Sequence, residues 1–316
     1  MDISVVIAAR PNVPPEEELR TAVLADRLGF ADLWVGEGFV WDAFALATAA
    51  GRETERVALT VGPIPVSVRD PATIARAAAS TAVLTGRPVG VALGSSSVRV
   101  VERMHGRSRR KAVSTMAESA QAIRALYAGA DFAGELVSTH DYRLPLDRPG
   151  GGITIAAFGD RAIAAAARYA DRMVLDLVSP ELARGYRARL DAAAVEADRP
   201  APRLAAWIPA AIDPDPAGYE QVMWSLVNYL TVAGYAEMFV DAGFAEAVEL
   251  AEGGADPDAR YAALPPDAAT RIGLVGDPDT VAARLRAYAE AGLDEVVLVP
   301  ATSGVERTLS AIASLA

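Results

Sequence analysis

Residues 57–94 read VALTVGPIPVSVRDPATIARAAASTAVLTGRPVGVALG and contain two short apolar runs separated by a helical pattern. The runs 57–65 and 88–94 are typical of buried strands, because both are apolar and bounded by glycine or proline. After Pro71, one stripe of small and apolar residues recurs every three to four positions, as in an amphipathic helix: Ile74, Ala77, Ala78, Thr81 and Ala82. Strand, helix and strand in this order predict a βαβ unit with parallel strands.

The same alternation continues outward from this unit in both directions. Further strands are predicted at 3–9, 32–36, 153–158, 172–178, 203–212 and 294–301. Strands that alternate with helices in this way predict a single α/β domain over residues 1–316, folded as a closed TIM (β/α)8 barrel. Two segments break the repeat and are expected to be insertions: 131–149 after the fourth strand, which is polar and turn-rich, and 214–272 after the seventh, which is too long for one crossover.

Composition limits the partners of this domain. The chain has no cysteine, which excludes disulfides and thiol chemistry, and its two histidines lack the spacing of metal ligands. The net charge of −11 and the absence of a long apolar run argue against nucleic-acid and membrane partners. We therefore expect a small-molecule partner and, by default for a chain without cysteine, a cytoplasmic location.

The carboxyl ends of the strands are where βα barrels bind their ligands. In this sequence those ends hold Ala9-Arg10, Gly36-Glu37-Gly38, Gly62-Pro63-Ile64-Pro65, Gly94-Ser95-Ser96-Ser97, Ala157-Phe158-Gly159-Asp160, Asp176 and Pro209. Glu37 and Asp176 are candidate carboxylates, although burial of Asp176 against Arg172 or a helix end is the structural alternative. Phe39 and Trp41 are candidates to line an apolar pocket.

A basic segment, residues 99–111, follows the fourth strand. It holds six basic side chains and one acidic one in a chain of net charge −11. Two interpretations stay open from the residues alone. The segment faces an anionic ligand, for which arginine supplies paired hydrogen bonds, or it is a solvated surface that pairs with acidic neighbours or a dimer partner.

Five segments together resemble the luciferase-like oxidoreductases, and most closely the branch that uses coenzyme F420. They are ADRLGFADLWVGE, VGPIPVSVRDPATIARAAAS, TGRPVGVALGSSSVRVVERMHG, ITIAAFGDRAIAAAARYADRMVLD and VGDPDTVAARLRAYAEAGLDEVVL. This branch includes methylenetetrahydromethanopterin reductase and the F420-dependent glucose-6-phosphate dehydrogenases. The resemblance covers most of the chain outside the two insertions, and it implies a homodimer that binds a deazaflavin across the barrel mouth.

The resemblance also implies residues that contact the deazaflavin ring. Glu37, at the end of the second strand, would contact the ring system and is the candidate catalytic acid. Its alternative role is that of a structural carboxylate hydrogen-bonded to the backbone. A bulge at the end of the third strand would back the ring, with a cis peptide between Gly62 and Pro63.

Coenzyme F420 carries a phosphodiester and a polyglutamate tail, and the resemblance implies an anion site for both. Amides and hydroxyls after the fourth strand, and the start of a helix after the fifth, would hold the phosphodiester. The residues concerned are Gly94, Ser95, Ser96, Gly159, Asp160 and Arg161. Within the basic segment, Arg109 and Arg110 would face the tail.

One departure from the family pattern bears on the reaction. Some F420-dependent dehydrogenases have a histidine after the acid of strand two to accept a proton from an alcohol, and here that position is Gly38. We therefore expect hydride transfer between reduced F420 and a small organic substrate, with reduction favoured over alcohol oxidation. An FMN-dependent luciferase-like monooxygenase and an F420-binding protein with little catalysis are the alternatives. Flavin members often carry a serine after strand five, and its absence from residues 156–162, AAFGDRA, favours F420 over FMN.

Overall fold

A computed structural model describes residues 1–8, 13–38, 40–232 and 234–315, so the candidate positions Ala9-Arg10 and Phe39 lie outside the described residues. The strands, in chain order, are β1 (Asp2–Ile7), β2 (Asp32–Val35), β3 (Ala58–Pro65), β4 (Val89–Gly94), β5 (Phe132–Ala133), β6 (Ser138–Thr139), β7 (Gly150–Ala156), β8 (Arg172–Asp176), β9 (Arg203–Ile212), β10 (Leu274–Gly276) and β11 (Glu295–Pro300).

The predicted TIM barrel is confirmed. Parallel pairing runs β1, β2, β3, β4, β7, β8, β9 and β11, and β11 pairs back with β1, which closes the sheet. These are the strands that the sequence predicts. Because every strand of the barrel is parallel, all carboxyl ends lie on one side of the molecule.

Helices surround the barrel: α1 (Pro15–Leu28), α2 (Ala43–Glu53), α3 (Pro71–Thr85), α4 (Ala112–Tyr127), α5 (Asp160–Tyr169), α6 (Pro180–Glu196), α7 (Pro216–Tyr229), α8 (Ala236–Asp241), α9 (Ala245–Glu252), α10 (Pro257–Ala262), α11 (Ala268–Ile272), α12 (Pro278–Glu290) and α13 (Val305–Leu315). Several begin with a side chain that accepts from a free amide, followed by proline, as at Asp70, Ser179 and Asp277. Among the described residues, none of these helices has both the length and the hydropathy needed to cross a membrane.

Both predicted insertions are present. Residues 131–149 contain the antiparallel pair of β5 and β6, and residues 214–272 contain α7 to α11. A short strand that the sequence does not predict, β10, pairs with residues 210–212 of β9, beyond the part of β9 that pairs with β8. The long insertion therefore returns to the sheet at the carboxyl end of the barrel.

An ionic cluster closes the amino end of the barrel interior. Arg172 Nη1 lies 2.6 Å from Glu295 Oε2 and 3.2 Å from Asp32 Oδ2, and its guanidinium lies 4.3 Å from the centre of the Trp34 ring. Above this cluster is a buried apolar layer: Val6, Trp34, Ala92, Val174, Ala205 and Val297. With the amino end filled by paired charges, we expect a ligand to enter from the carboxyl end.

Candidate active site

The inward side chains at the carboxyl ends of the strands form an open mouth. Side chains alternate between the two faces of a strand, so the residue two positions beyond each member of the buried apolar layer also faces the barrel interior. On β2, β3, β4, β7, β8, β9 and β11 these positions are Gly36, Gly62, Gly94, Ala156, Asp176, Trp207 and Val299. Ala8, which follows β1 with a positive φ, packs against the core between the barrel and the helices. At the top of β7, β8, β9 and β11 these inward residues are partly accessible while their outward neighbours are buried, so the mouth opens to solvent.

The two halves of the mouth differ in chemistry. Four neighbouring strands, from β2 through β7, contribute glycine or alanine and leave a floor with almost no side chains. Strands β8, β9 and β11 contribute Asp176, Trp207 and Val299. A flat ligand can lie against the backbone of the first half, and its reacting edge can then face the larger side chains of the second.

Close packing explains the glycines of this floor. A Cβ on Gly62, whose φ is +124°, would lie 2.3 Å from the carbonyl oxygen of Ala92. A Cβ on Gly94 would lie 3.0 Å from the Cβ of Pro63. The pairing of β3 with β4 shifts register between Val61 and Ile64, and the Gly62–Pro63 peptide is cis. The predicted bulge and cis bond are thus both present at the edge of the mouth.

Glu37 is held by two partners just beyond β2. Its carboxylate lies 2.9 Å from Arg69 Nη2 and accepts a hydrogen bond of 3.2 Å from the amide of Ala43, the first residue of α2. Burial raises the pKa of Glu37, although Arg69 opposes the shift. These contacts fit the structural role that the sequence offered as the alternative for Glu37. Its contact with a ligand stays a prediction.

The structure brings together three of the residues predicted to bind an anion. Arg109 Nε donates to the carbonyl oxygen of Ser96 at 2.7 Å, and its Nη2 donates to Ser95 Oγ at 3.1 Å. Both serines are partly accessible and directly follow Gly94 at the end of β4. A cation, a hydroxyl and loop backbone therefore meet at the rim of the mouth.

The predicted anion-binding helix start is exposed, and its three residues have different neighbours. Gly159 precedes α5 and supplies no side-chain cap, so the first amides of the helix lack one. The Asp160 carboxylate lies 2.6 Å from Arg189 Nη2. Arg161 Nη2 lies 3.5 Å from Ser114 Oγ in the first turn of α4. Since α4 directly follows the basic segment, Arg161 reaches towards that segment.

The basic segment is largely exposed and contacts the short insertion. Lys111 forms an ion pair with Glu135, which lies between β5 and β6. The side chains of Arg103, Arg107 and Arg110 are exposed. The surface interpretation and the ligand interpretation of these three arginines are therefore both compatible with their positions, whereas Arg109 is the member of the segment fixed at the mouth.

Asp176 is the functional candidate whose surroundings the sequence did not reveal. The suggested pairing of Asp176 with Arg172 is wrong, because Arg172 lies at the amino end of the same strand in the ionic cluster. Instead, Asp176 Oδ2 accepts a hydrogen bond of 2.9 Å from the Tyr235 hydroxyl, and Tyr229 is the second phenol that acts on the carboxyl. Burial raises the pKa of Asp176 to about 7, with the tyrosines opposing the shift.

Both tyrosines come from the long insertion and form one side of the mouth. Tyr229 ends α7 and Tyr235 directly precedes α8; their ring centres are 4.9 Å apart, and Tyr235 lies 4.7 Å from the ring of Phe158. Their pKa values are raised well above the usual range, for Tyr229 mainly by the Asp176 carboxylate and for Tyr235 mainly by burial. The phenols are therefore hydrogen-bond donors throughout the physiological pH range.

Comparison with known proteins gives a curated relative in Mycobacterium tuberculosis, named as a coenzyme F420-dependent oxidoreductase. The two are 26% identical over 197 residues, which span 56% of this chain and 56% of the relative. The aligned region thus covers about half of that protein.

Solved structures share the fold over nearly the whole chain. The F420-dependent tetrahydromethanopterin reductase of Methanopyrus kandleri has a TM-score of 0.85 at 18% identity, covering 99% of this chain and 98% of that one. An F420-dependent secondary alcohol dehydrogenase has a TM-score of 0.81 at 18% identity, covering 100% and 98%. The FMN-bound oxygenating constituent of 3,6-diketocamphane monooxygenase from Pseudomonas putida has a TM-score of 0.71 at 16% identity, covering 99% and 96%.

At these identities the structural likenesses show the fold alone, and both F420 and FMN proteins share it. The family itself is shown by the sequence, because the model of the luciferase-like monooxygenases matches residues 1–295. The chain therefore belongs to the luciferase-like monooxygenase family of oxidoreductase enzymes.

Proposed function

We propose that this protein is an F420-dependent oxidoreductase that transfers a hydride between reduced deazaflavin and a small organic substrate bound at the barrel mouth. The observation that carries the proposal is the contact of Arg109 with Ser95 and Ser96 at the rim of a mouth whose adjacent floor is glycine and alanine. The relative from Mycobacterium tuberculosis supports the same cofactor.

The residues present fit coenzyme F420. A planar ring suits a floor whose inward positions on β2, β3, β4 and β7 are glycine or alanine, because no large side chain occupies it. A phosphodiester suits the guanidinium of Arg109 and the hydroxyl of Ser95, because charge-assisted hydrogen bonds are the strong ones. The exposed arginines of the basic segment suit a tail of glutamates. When bound, the reduced deazaflavin supplies the hydride.

The protein's own residues position the reactants and limit the entry of water. Glu37, held by Arg69, would contact the ring from the end of β2. Tyr229, Tyr235 and Phe158 form an aromatic side wall to the substrate half of the mouth. No histidine follows Glu37, since residue 38 is glycine, and this favours reduction of the substrate over oxidation of an alcohol. A homodimer and a cytoplasmic location complete the proposal.

FMN is the competing cofactor, because an FMN-bound monooxygenase shares the fold. FMN has a single phosphate and no glutamate tail, so it would leave the exposed arginines of the basic segment without a ligand. The segment AAFGDRA at residues 156–162 also lacks the serine often found there in flavin members.

Titration of the purified protein with oxidised F420 and, separately, with FMN tests the proposal. Cofactor fluorescence at low and high salt reports both affinity and its ionic component. We expect tight, salt-sensitive binding of F420 and weak binding of FMN. The reverse preference would assign the protein to the FMN-dependent monooxygenases and contradict the proposal.

A further inference from the structure

The carboxyl group of Asp176 faces the open mouth of the barrel. Asp176 follows Arg172 and Val174 in the inward series of β8 and is partly accessible from above. Within the described residues, no arginine, lysine or histidine pairs with it. Carboxylates enclosed by protein normally have such a partner, because an unpaired buried charge is costly.

In the part of the chain that the structure describes, the side chains packed around Asp176 are neutral. From the long insertion come the hydroxyls of Tyr229 and Tyr235, which remain protonated. From the adjacent strand comes Trp207, whose position pairs with Asp176 in the sheet, and from the segment after β7 comes Phe158, whose ring is tilted against that of Tyr235. Tyr186 of α6 lies behind Phe158. Such an environment favours the uncharged acid, in line with the raised pKa of the Asp176 carboxyl.

The neutral acid has a proton to donate. The Tyr235 hydroxyl donates to Oδ2 at 2.9 Å, so the proton of the neutral acid can be donated to another acceptor. The open side of Asp176 is the mouth, where a ligand would lie. A carbonyl oxygen or imine nitrogen is the acceptor chemistry that matches this arrangement.

We propose that Asp176 is the catalytic acid of this site, which contacts the C=O or C=N group of the substrate and protonates its oxygen or nitrogen as that bond is reduced. This inference rests on the proposed function, in which the reduced deazaflavin supplies the hydride and its two electrons to the substrate carbon. The O–H bond of Asp176 breaks, a new O–H or N–H bond forms on the substrate, and Asp176 regains a proton from water. The substrate class is accordingly a small carbonyl or imine compound.

The Tyr229–Tyr235 pair tunes and positions the acid. Hydrogen bonds to a carboxyl favour its charged form, so the phenols stabilise the carboxylate left after proton transfer. They also hold the carboxyl in one orientation towards the mouth. Because both tyrosines belong to the 214–272 insertion, this insertion would supply part of the catalytic apparatus as well as a wall of the substrate pocket.

A small chromophoric aldehyde tests the inference without turnover. The absorption of 4-(dimethylamino)benzaldehyde moves to longer wavelength when its carbonyl oxygen accepts a strong hydrogen bond. Difference spectra are recorded with the full-length wild-type protein and two variants, at about pH 6 and about pH 8.5. Asp176→Asn keeps the shape of the side chain without an acidic proton. Asp279→Asn, at an exposed aspartate in the first turn of α12, is the matched control.

We expect a red shift with the wild type and the control at about pH 6, which fades as the pH rises through about 7. Asp176→Asn should show no pH-dependent shift. A merely structural role of Asp176 would leave the spectrum of the bound aldehyde unchanged by the substitution. The same shift in wild type and Asp176→Asn, or no shift in the wild type, would overturn the inference.

Binding of oxidised F420 to the same three proteins separates this inference from the proposed function. If the wild type fails to bind F420, the proposed function fails, whatever the aldehyde reports. The other outcome is that F420 binds to all three proteins with dissociation constants within about twofold, while the aldehyde spectrum does not depend on Asp176. In that case the proposed function stands and the assignment of the acid is wrong.

Discussion

Arg172 and Asp176 lie on the same face of β8, yet their surroundings differ in every respect that matters for charge. Arg172 contacts two carboxylates, Asp32 and Glu295, and also donates to Thr60 Oγ1 at 2.7 Å. Among the described residues, Asp176 contacts a phenol and no cation pairs with it. The sequence identifies both as strand-end residues, but their partners lie far away in the chain, so spacing alone suggested the wrong pairing between them.

Replacing Asp176 by Asn should remove a pH dependence of folding. Burial raises the pKa of this carboxyl from 3.8 to about 7, so the folded chain binds the proton more tightly than the unfolded chain. Its contribution to stability is present below the unfolded pKa and is lost as the pH rises through the folded pKa, by up to about 4 kcal/mol. Urea unfolding between about pH 4 and pH 8 should show the wild type losing stability relative to Asp176→Asn. Parallel profiles would contradict this expectation.

Replacing Tyr235 by Phe should raise the pKa of Asp176 further. The phenol donates to the carboxylate at 2.9 Å and thereby lowers the pKa that burial raises. Loss of one such hydrogen bond should raise the pKa of Asp176 by about 1. Carboxyl ¹³C shifts followed over pH would measure the change in wild type and variant. A lower pKa in Tyr235→Phe would mean that the hydroxyl does not stabilise the charged form.

Replacing Arg172 by Met should destabilise the fold strongly. The substitution would leave Asp32 and Glu295 in the barrel interior without their cation, and breaking a buried ion pair in this way costs about 3–5 kcal/mol. Chemical denaturation measures the loss. Arg76→Met, at an exposed arginine on α3, is the control and should change the free energy of unfolding by less than about 0.5 kcal/mol.

At the scale of elements, β3 and its neighbours shape the floor of the mouth. Replacing Gly86 by Ala should destabilise the protein by about 1 kcal/mol, and replacing Gly62 by Ala should destabilise it by more. Both glycines have positive φ, but a Cβ at Gly62 meets Ala92 O at 2.3 Å whereas one at Gly86 meets nothing within 4 Å. Thermal unfolding of the two variants separates steric overlap from backbone preference. Equal losses would mean that the floor can relax around a methyl group.

The elements were predictable where their pattern was long enough. The barrel strands were found because each is an apolar run of four or more residues between helical stripes. The three residues of β10 carry no such period, and their pairing with β9 depends on the fold of the insertion. The polar 131–149 segment was correctly expected to be an insertion because its turn residues interrupt the repeat, and it contains the antiparallel pair of β5 and β6. The pairing of Lys111 with Glu135 across it was not predictable from composition.

At the scale of the whole molecule, closure of the barrel decides which residues meet. The sequence located the carboxyl ends of the strands, and with them Gly62, Gly94, Ser95 and Ser96. The division of the mouth into a bare half and a half with Asp176 and Trp207 follows from the order of strands around the barrel. The predicted barrel already implies that order, whereas the insertion residues that pack against each half depend on contacts between distant parts of the chain, which local pattern does not encode.

The charge of the molecule is unevenly distributed over its surface. A molecule of net charge −11 presents a basic rim beside its mouth, so an anionic cofactor is repelled by most of the surface and attracted at one place. Association of F420 should therefore slow as ionic strength rises, by about tenfold or more between low and high salt. Stopped-flow fluorescence measures this rate. A rate that does not change with salt would show that the basic segment does not guide the cofactor.

We propose that Arg109, Ser95 and Ser96 hold the anionic part of a deazaflavin at the barrel mouth. The most direct test compares Arg109→Gln with Arg76→Gln and wild type, each titrated with F420 and with a deazaflavin that lacks the phosphodiester and tail. We expect Arg109→Gln to weaken F420 binding by roughly 10- to 100-fold and the tail-less analogue by less than about threefold, since charged hydrogen bonds contribute about 1.5–3 kcal/mol. Equal weakening of the binding of both ligands, or no weakening of either, would show that Arg109 does not hold the anionic part of the cofactor.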